Sequence, residues 1–418
     1  MYATRYDNRD MEKQQFEIAD SPRILQVSRI ESPISRHKPV ESIEQVIMDL
    51  YDSMTKQGAD ISVAAPCDSQ PYRDFNIMPT VDSFGEVYGA DIEPAKEHVR
   101  DLHYRKAVEH AQSGNFDIVH DHYYLIKVPW IFDFLESNPE FPPILTTLHV
   151  PLGKNKVADR VKQASEYTSF LVVSESQRKI FMDELGIDGS RIYSIHNGIH
   201  PREFDFSDQK DDYLLSLGRI NQDKGTRTAC EVARASGRTL VISGYFNNTE
   251  AEHAYFRDEV EPHVDIQQDL SGISDKEAYQ NTVRQLASEN PGSIIYIGRS
   301  SPSQRKDLYR HSSGFLFMSG TENDWQEPFG LVQIEANASG TPVISYDSGA
   351  AREIIKPGVN GFISRDFEGM VKSAGSLENI SPFACRRHVE NNFTSDLAAR
   401  RHMDLYDELV SMRKNYKP

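Results

Sequence analysis

Two cations and two carboxylates in the second half of the chain have the types and spacing of a site that grips an anionic ligand. Arg219 and Lys224 stand five positions apart in GRINQDKG, residues 218–225. An apolar run, Leu214–Leu217, precedes that string and a helical pattern follows it. A cation at a strand's end and another at a helix's beginning can converge on one anion. Lys224 lies where a helix dipole disfavours positive charge, and a bound anion resolves the conflict. Glu327 and Glu335 stand eight positions apart in WQEPFGLVQIEANASGTPVIS, residues 325–345. Glu327 precedes a predicted helix and Glu335 lies just over one turn inside it, so the two acids can hold different parts of one long ligand. The amides of Phe329, Gly330 and Leu331 open that helix and should point at the same ligand. Taken singly, each charge also reads as a surface or first-turn residue. The run of acid, Pro, Gly, helix, Gly-Thr-Pro, strand and a second Gly-rich turn with Glu353 is what argues for a ligand.

Positioning these groups calls for parallel sheets. The chain has 418 residues, more than one ordinary core holds and comfortable for two domains. Ile24–Ser28 is a short apolar run suited to an inner parallel strand. A helical pattern follows through Ile43, Val46, Ile47, Leu50, Tyr51 and Met54, then a second strand, Ile61–Ala65. That is a βαβ unit. Residues 71–93 read as a long loop or short strands, and a helix is expected over Pro94–Ser113. Strands at Phe116–His120, Ile144–His149 and Phe170–Ser174 continue the pattern, and Ser174 caps a helix from Glu175. Asn197-Gly198 predicts a tight turn with positive φ, near which the domain junction is placed. A second sheet follows: Tyr213–Gly218, Thr239–Gly244, Ser293–Gly298, Gly314–Met318 and Val343–Ser345. The fold class is α/β, with two Rossmann-like doubly wound domains facing across a cleft. The expected division is a polar arm over 1–22, a first domain over 23–196, a second over 197–381, and terminal helices over 382–418, which by the family resemblance described below are expected to cross back to the first domain.

Functional groups in such sheets lie beyond the carboxyl ends of the strands. His120, His122 and His149 fall there, as does the loop from Gly298 through Arg299 to Ser300. Three histidines invite a metal, but no acidic residue completes a ligand set and the spacing fits no short metal motif; no metal is expected. A net charge of −17 excludes general affinity for nucleic acid or anionic membranes. Lys154, Lys156, Arg160 and Lys162 form a basic cluster that reads as a solvated helix face, or as a contact for a phosphorylated or lipid-linked acceptor. No stretch approaches the roughly 18 apolar residues that span a bilayer. Three widely spaced cysteines and a polar N-terminal stretch point to a reduced, cytoplasmic protein. Neither a GxxxxGK[ST] loop nor a GxGxxG fingerprint occurs, which weakens nucleotide hydrolase and dehydrogenase readings.

The stretch from Trp325 to Ile363 closely resembles the donor-site signature of the family-4 retaining glycosyltransferases, an E-x7-E motif followed by GTPVI and a G-x-x-E-I turn. GRINQDKG is similar to that family's G-R-x-x-x-x-K-G diphosphate site, and Asn197-Gly198-Ile199 to its N-G-[VI] string. The resemblance implies the GT-B arrangement and transfer of a sugar, with retention, from a nucleotide-diphosphate sugar to a glycan, lipid-linked or small-molecule acceptor, with no other cofactor. It implies that Arg219 and Lys224 hold the diphosphate, Glu327 the sugar hydroxyls and Glu335 the ribose. It also implies that His149 faces the sugar, and that backbone near Gly298 and Arg299 meets the base. One segment departs from the family: Pro39-Val40-Glu41-Ser42-Ile43-Glu44 stands where P-Y-G-G-x-E is usual. Other enzymes of this fold, an epimerase or a phosphorylase, and a non-catalytic binding protein remain as alternatives.

Overall fold

A computed structural model describes residues 21–35, 42–70, 75–83, 93–122, 128, 130–151, 157–247 and 249–415. The N-terminal arm to residue 20, Glu41, Lys154 and Lys156 lie outside the described residues. The first sheet is built from β1 (Arg23–Val27), β2 (Asp60–Ala65), β3 (Ile77–Pro79), β4 (Ile118–Asp121), β5 (Ile144–Leu148), β6 (Ser169–Val172) and β7 (Ile192–Ser194), in the order β3-β2-β1-β4-β5-β6-β7. The second comprises β8 (Leu214–Arg219), β9 (Leu240–Tyr245), β10 (Ile266–Gln267), β11 (Ile294–Tyr296), β12 (Gly314–Phe317), β13 (Val343–Tyr346) and β14 (Gly361–Ser364), in the order β10-β11-β9-β8-β12-β13-β14. All neighbouring strands run parallel. Strands such as IVHD and LVIS are buried along their whole length, as expected where helices cover both faces. The sheets confirm the doubly wound reading. β3 falls in the stretch expected to hold a long loop or short strands; β10 and β14 are additions, two and four residues long and too short to carry a periodic signal.

Each sheet reverses its winding at one point: β1 pairs with both β2 and β4, and β8 with both β9 and β12. Outside the carboxyl ends at such a point two loops diverge and leave a crevice.

The expected Asn197-Gly198 turn is not there. Neither residue has a positive φ; the chain runs extended and Ile199 bridges to Thr394. Ile199 N–H donates to Phe393 O at 3.0 Å and Ser395 N–H to Ile199 O at 2.8 Å, so two passes of chain between the sheets lie side by side. Gly198 is needed for contact: a Cβ there would lie 2.4 Å from the Thr394 carbonyl. The two terminal helices divide between the halves. Pro382–Asn392 stays on the second half, where Arg386 Nη1 donates to Ala338 O at 2.7 Å and Phe204 O at 2.8 Å. Ser395–Asn415 reaches the first half, with Ser53 Oγ, on the helix Ser42–Lys56, donating to Asp396 Oδ1 at 2.8 Å.

Candidate functional site

Arg219 is the last residue of β8, and Glu327 follows β12, the adjacent strand at the second crossover. Between them in sequence a short 3-10 turn, Gln222–Lys224, is closed by Gly225 at φ 65° before the helix Thr226–Ser236 begins. Only glycine fits there, because a Cβ would stand 2.1 Å from Met318 O. That close approach brings the Lys224 turn against the end of β12. Lys224 Nζ consequently lies 2.5 Å from Glu327 Oε2, 103 residues away in sequence. Ser319 Oγ donates to the same oxygen at 3.1 Å and Trp325 Nε1 at 3.2 Å. Burial alone would raise the Glu327 pKa; Lys224, Trp325 and Ser319 outweigh it and hold the carboxyl below its usual range. All three donors crowd onto Oε2. Oε1 has no donor among the described residues and is not sealed from solvent.

The loop after Glu327 turns at Gly330, with φ 87° and ψ 67°, and starts the helix Leu331–Ala338 without a side-chain cap. The amides of Phe329, Gly330 and Leu331 donate to no acceptor among the described residues. Glu335 lies half-buried in that helix. Burial, and then the nearby Glu335 carboxylate, push the Tyr309 hydroxyl well above its ordinary pKa. Arg219 is held loosely, its Nη2 3.8 Å from Asp223 Oδ2 and its Nε 3.5 Å from Glu252 Oε1. Asp223 is itself fixed by Asn323 Nδ2 at 2.8 Å.

The structure thus brings Lys224 and Glu327 into contact and sets Arg219 and the three amides around the same crossover. The Gly298 carbonyl accepts from Gly244 N–H at 3.0 Å and Ser243 Oγ at 3.1 Å, which holds β9 to the loop after β11. Its φ of 74° leaves room for Asp269, whose Oδ1 would be 2.3 Å from a Cβ. Arg299 is exposed and lies over the Tyr245 ring at 4.6 Å.

His149 belongs to the first crossover. Its Nε2 is 3.1 Å from His122 Nδ1, and its described ring partner is that histidine, not the donor-side cations. Burial first, then His120, Arg29 and His402, lower its pKa to about 3. His120 is spent between Tyr406 and Thr147, each at 2.6 Å. Among the described residues no group of three or more His, Cys, Asp or Glu side chains could hold a metal ion. No described helix is long and apolar enough to cross a membrane.

Sequence reasoning missed Ser319, Trp325, Asp223 and Glu252. Trp325, two positions before Glu327, was findable as a donor near an acid. Glu252 sits in a polar stretch with no pattern to single it out.

Two family models match the chain: Glycosyltransferase Family 4 over residues 43–203 and Glycosyl transferases group 1 over residues 201–368. Spore coat protein SA of Bacillus subtilis is 26% identical over 191 residues, 41% of this chain and 49% of that protein, so the match spans about half of that relative's length. An uncharacterized glycosyltransferase of Methanocaldococcus jannaschii is 23% identical over 318 residues, 72% of this chain and 75% of that protein. Anabaena HepE in complex with UDP superposes with a TM-score of 0.60 at 15% identity, covering 92% of this chain and 100% of that one. Two adjoining glycosyltransferase models over two seven-stranded parallel sheets support a GT-B glycosyltransferase similar to family 4.

Proposed function

We propose that the protein transfers a hexosyl group from a nucleotide-diphosphate sugar to an acceptor hydroxyl with retention at the anomeric carbon. No cofactor beyond the donor enters the reading. The observation that carries it is the asymmetric Glu327 carboxylate. One oxygen is saturated by Lys224, Ser319 and Trp325, and the other is open beside three unused helix-terminal amides. A carboxylate fixed through one oxygen presents the other to a sugar hydroxyl. The amides, Lys224 and Arg219 supply the donors that a diphosphate needs.

As the bond from the anomeric carbon to the diphosphate oxygen breaks, negative charge gathers on the departing phosphate. Lys224 and Arg219 stabilise that charge, and the acceptor hydroxyl gives its proton to the departing phosphate as it joins the sugar. Glu335 takes the ribose and His149 faces the sugar from the opposite half. The halves, 23–196 and 197–381, close on the donor about the paired chain segments near Asn197 and Thr394. HepE, a fold relative, is solved with UDP, which makes UDP-sugars a natural first donor class.

Thermal stabilisation by UDP-, GDP-, ADP- and dTDP-sugars tests this reading. A donor present at a hundred times its dissociation constant adds about 2.7 kcal/mol. One nucleotide should raise the melting temperature clearly, and Glu327→Gln should weaken the response to the sugar nucleotide more than to the free nucleotide. Silence across the panel would overturn the reading in favour of a non-catalytic protein.

A further inference from the structure

Glu353 belongs to the second half by sequence, on the short helix Ala351–Ile354 that follows β13, yet its carboxylate is bound by the first half. Oε1 accepts from Ser176 N–H at 2.8 Å; Oε2 accepts from Glu175 N–H at 2.8 Å and from His196 Nε2–H at 2.7 Å. Glu175 and Ser176 open the helix Glu175–Leu185, whose next amide, Gln177 N–H, goes to the N-cap Ser174 Oγ. The first half thus leaves two helix-terminal amides for a carboxylate delivered from the other half, where the helix dipole favours it. The side chain is 18% exposed and His196 24%, so the contact is largely shielded from water. Burial alone would raise the Glu353 pKa; His196 and the two amides reverse this and hold it ionised below the usual carboxyl range.

The turn that delivers Glu353 also supports the donor-site loop. Ala350 N–H donates to Glu327 O at 3.2 Å, Gly349 N–H to Gln326 Oε1 at 3.0 Å, and Ser348 Oγ to Trp325 O at 3.0 Å. Gly349, at φ 53°, admits no side chain, since a Cβ would stand 2.1 Å from Glu327 O. On the other side the His196 ring packs 5.8 Å from Phe329, centroid to centroid, and 5.7 Å from Phe393, next to the paired strands between the halves. Glu353 lies three positions after Ala350, whose amide holds the Glu327 backbone, and His196 joins it to the Phe329 ring.

We propose that Glu353 is a positioning residue: a pin near the pivot that registers the Glu327–Leu331 loop against the first half, so that the acceptor hydroxyl meets the anomeric carbon on the face the phosphate leaves. Glu353 touches no reacting atom in this scheme and acts through Glu327 and Phe329. The proposal rests on the glycosyl-transfer reading for its catalytic consequence, while the pin itself is a physical contact that can be observed without turnover.

The test compares Glu353→Gln and Glu353→Asp with the full-length wild type. Glutamine keeps the shape but loses the charge that answers three donors; aspartate keeps the charge but falls short of the helix. Both should lower kcat at least tenfold while the dissociation constant of the free nucleoside diphosphate stays within about twofold. Hydrogen exchange at the Glu175 and Ser176 amides should accelerate at least tenfold in both variants. Unchanged kcat, or an equal loss of nucleotide affinity, would overturn the positioning role. If the wild type itself turns over no sugar nucleotide, the glycosyl-transfer reading fails separately. The exchange rates then decide the pin: acceleration sustains it, and unchanged protection at both amides overturns it.

Discussion

At the crossover of the first sheet, between β1 and β4, the carboxyl ends carry Arg29 in a two-pronged pair with Glu44, at 2.9 and 2.6 Å, and a run of histidines that burial keeps neutral. The matching place in the second sheet, between β8 and β12, carries Lys224, Arg219 and Glu327. In the first, the Glu44 side chain is fully buried and Arg29 is 11% exposed; in the second, Lys224 and Arg219 are 29% and 32% exposed. The same topology therefore serves two electrostatic purposes. Around Arg29 the ion pair is satisfied inside the protein, and the histidines offer neutral hydrogen-bonding groups. Around Lys224 a carboxylate oxygen and three amides are left over for a ligand, with cations exposed enough to meet a solvated anion. On the proposed reading, a cleft walled in this way would separate charge stabilisation on the donor side from the neutral chemistry of a hydroxyl acceptor on the other.

The largest effect that could break this contrast is loss of Lys224. Lys224→Ala should lower kcat about 10²- to 10³-fold, as removal of a preorganised charge-stabilising donor does, measured as nucleotide released per sugar transferred. A loss under tenfold would mean that the second crossover does no special charge work. Glu335→Ala should weaken nucleoside diphosphate binding about 10- to 100-fold, the worth of a hydrogen bond to a charged group, with kcat nearly unchanged by calorimetry and steady-state kinetics together. Unaltered nucleotide affinity would remove Glu335 from the ribose. His149→Ala should be milder, about tenfold in kcat/KM, because a neutral ring contributes about one ordinary hydrogen bond; a loss matching that of Lys224 would erase the distinction between the halves.

The smallest effect concerns stability. The pKa of His402 is lowered from 6.5 to about 4 by burial, partly countered by its bond to the Ala398 carbonyl. Between those two values the unfolded chain takes up protons that the folded one refuses, so stability is intact above pH 6.5 and falls as pH is lowered towards 4. Each such histidine contributes at most about 1.4 kcal/mol per pH unit. The melting temperature should decline over that window, and His402→Gln should flatten the decline. Glu327 and Glu353 act in a lower window, since their depressed values matter only below pH 4.5. A slope confined to that lower window would show that the histidines are not buried neutral groups.

Much of this was legible in residues. Apolar runs such as Leu240–Ile242 named the long strands because both faces are covered and no alternation interrupts them. Gly225, Gly330 and the Ser174 cap marked element ends through local backbone chemistry that needs no partner. Illegible were the two-residue β10, whose pairing with β11 comes entirely from a neighbour, and the Asn197-Gly198 segment, where a turn signal was overridden by the chain segment at Thr394 beside it. The two donors to the Gly298 carbonyl were illegible as well, because they come from β9, more than fifty residues earlier.

The sequence by itself determined the two parallel sheets, the identity of the cations and acids, and the helix terminus that would meet an anion, since these depend on periodicity and on residues close together in the chain. The tertiary structure decided which oxygen of Glu327 is spent, that Arg219 is only loosely held by Asp223 and Glu252, and that Glu353 reaches across to Glu175, Ser176 and His196. Those outcomes depend on contacts between segments far apart in sequence. Such contacts are set by how strands and helices pack, and no local pattern encodes them.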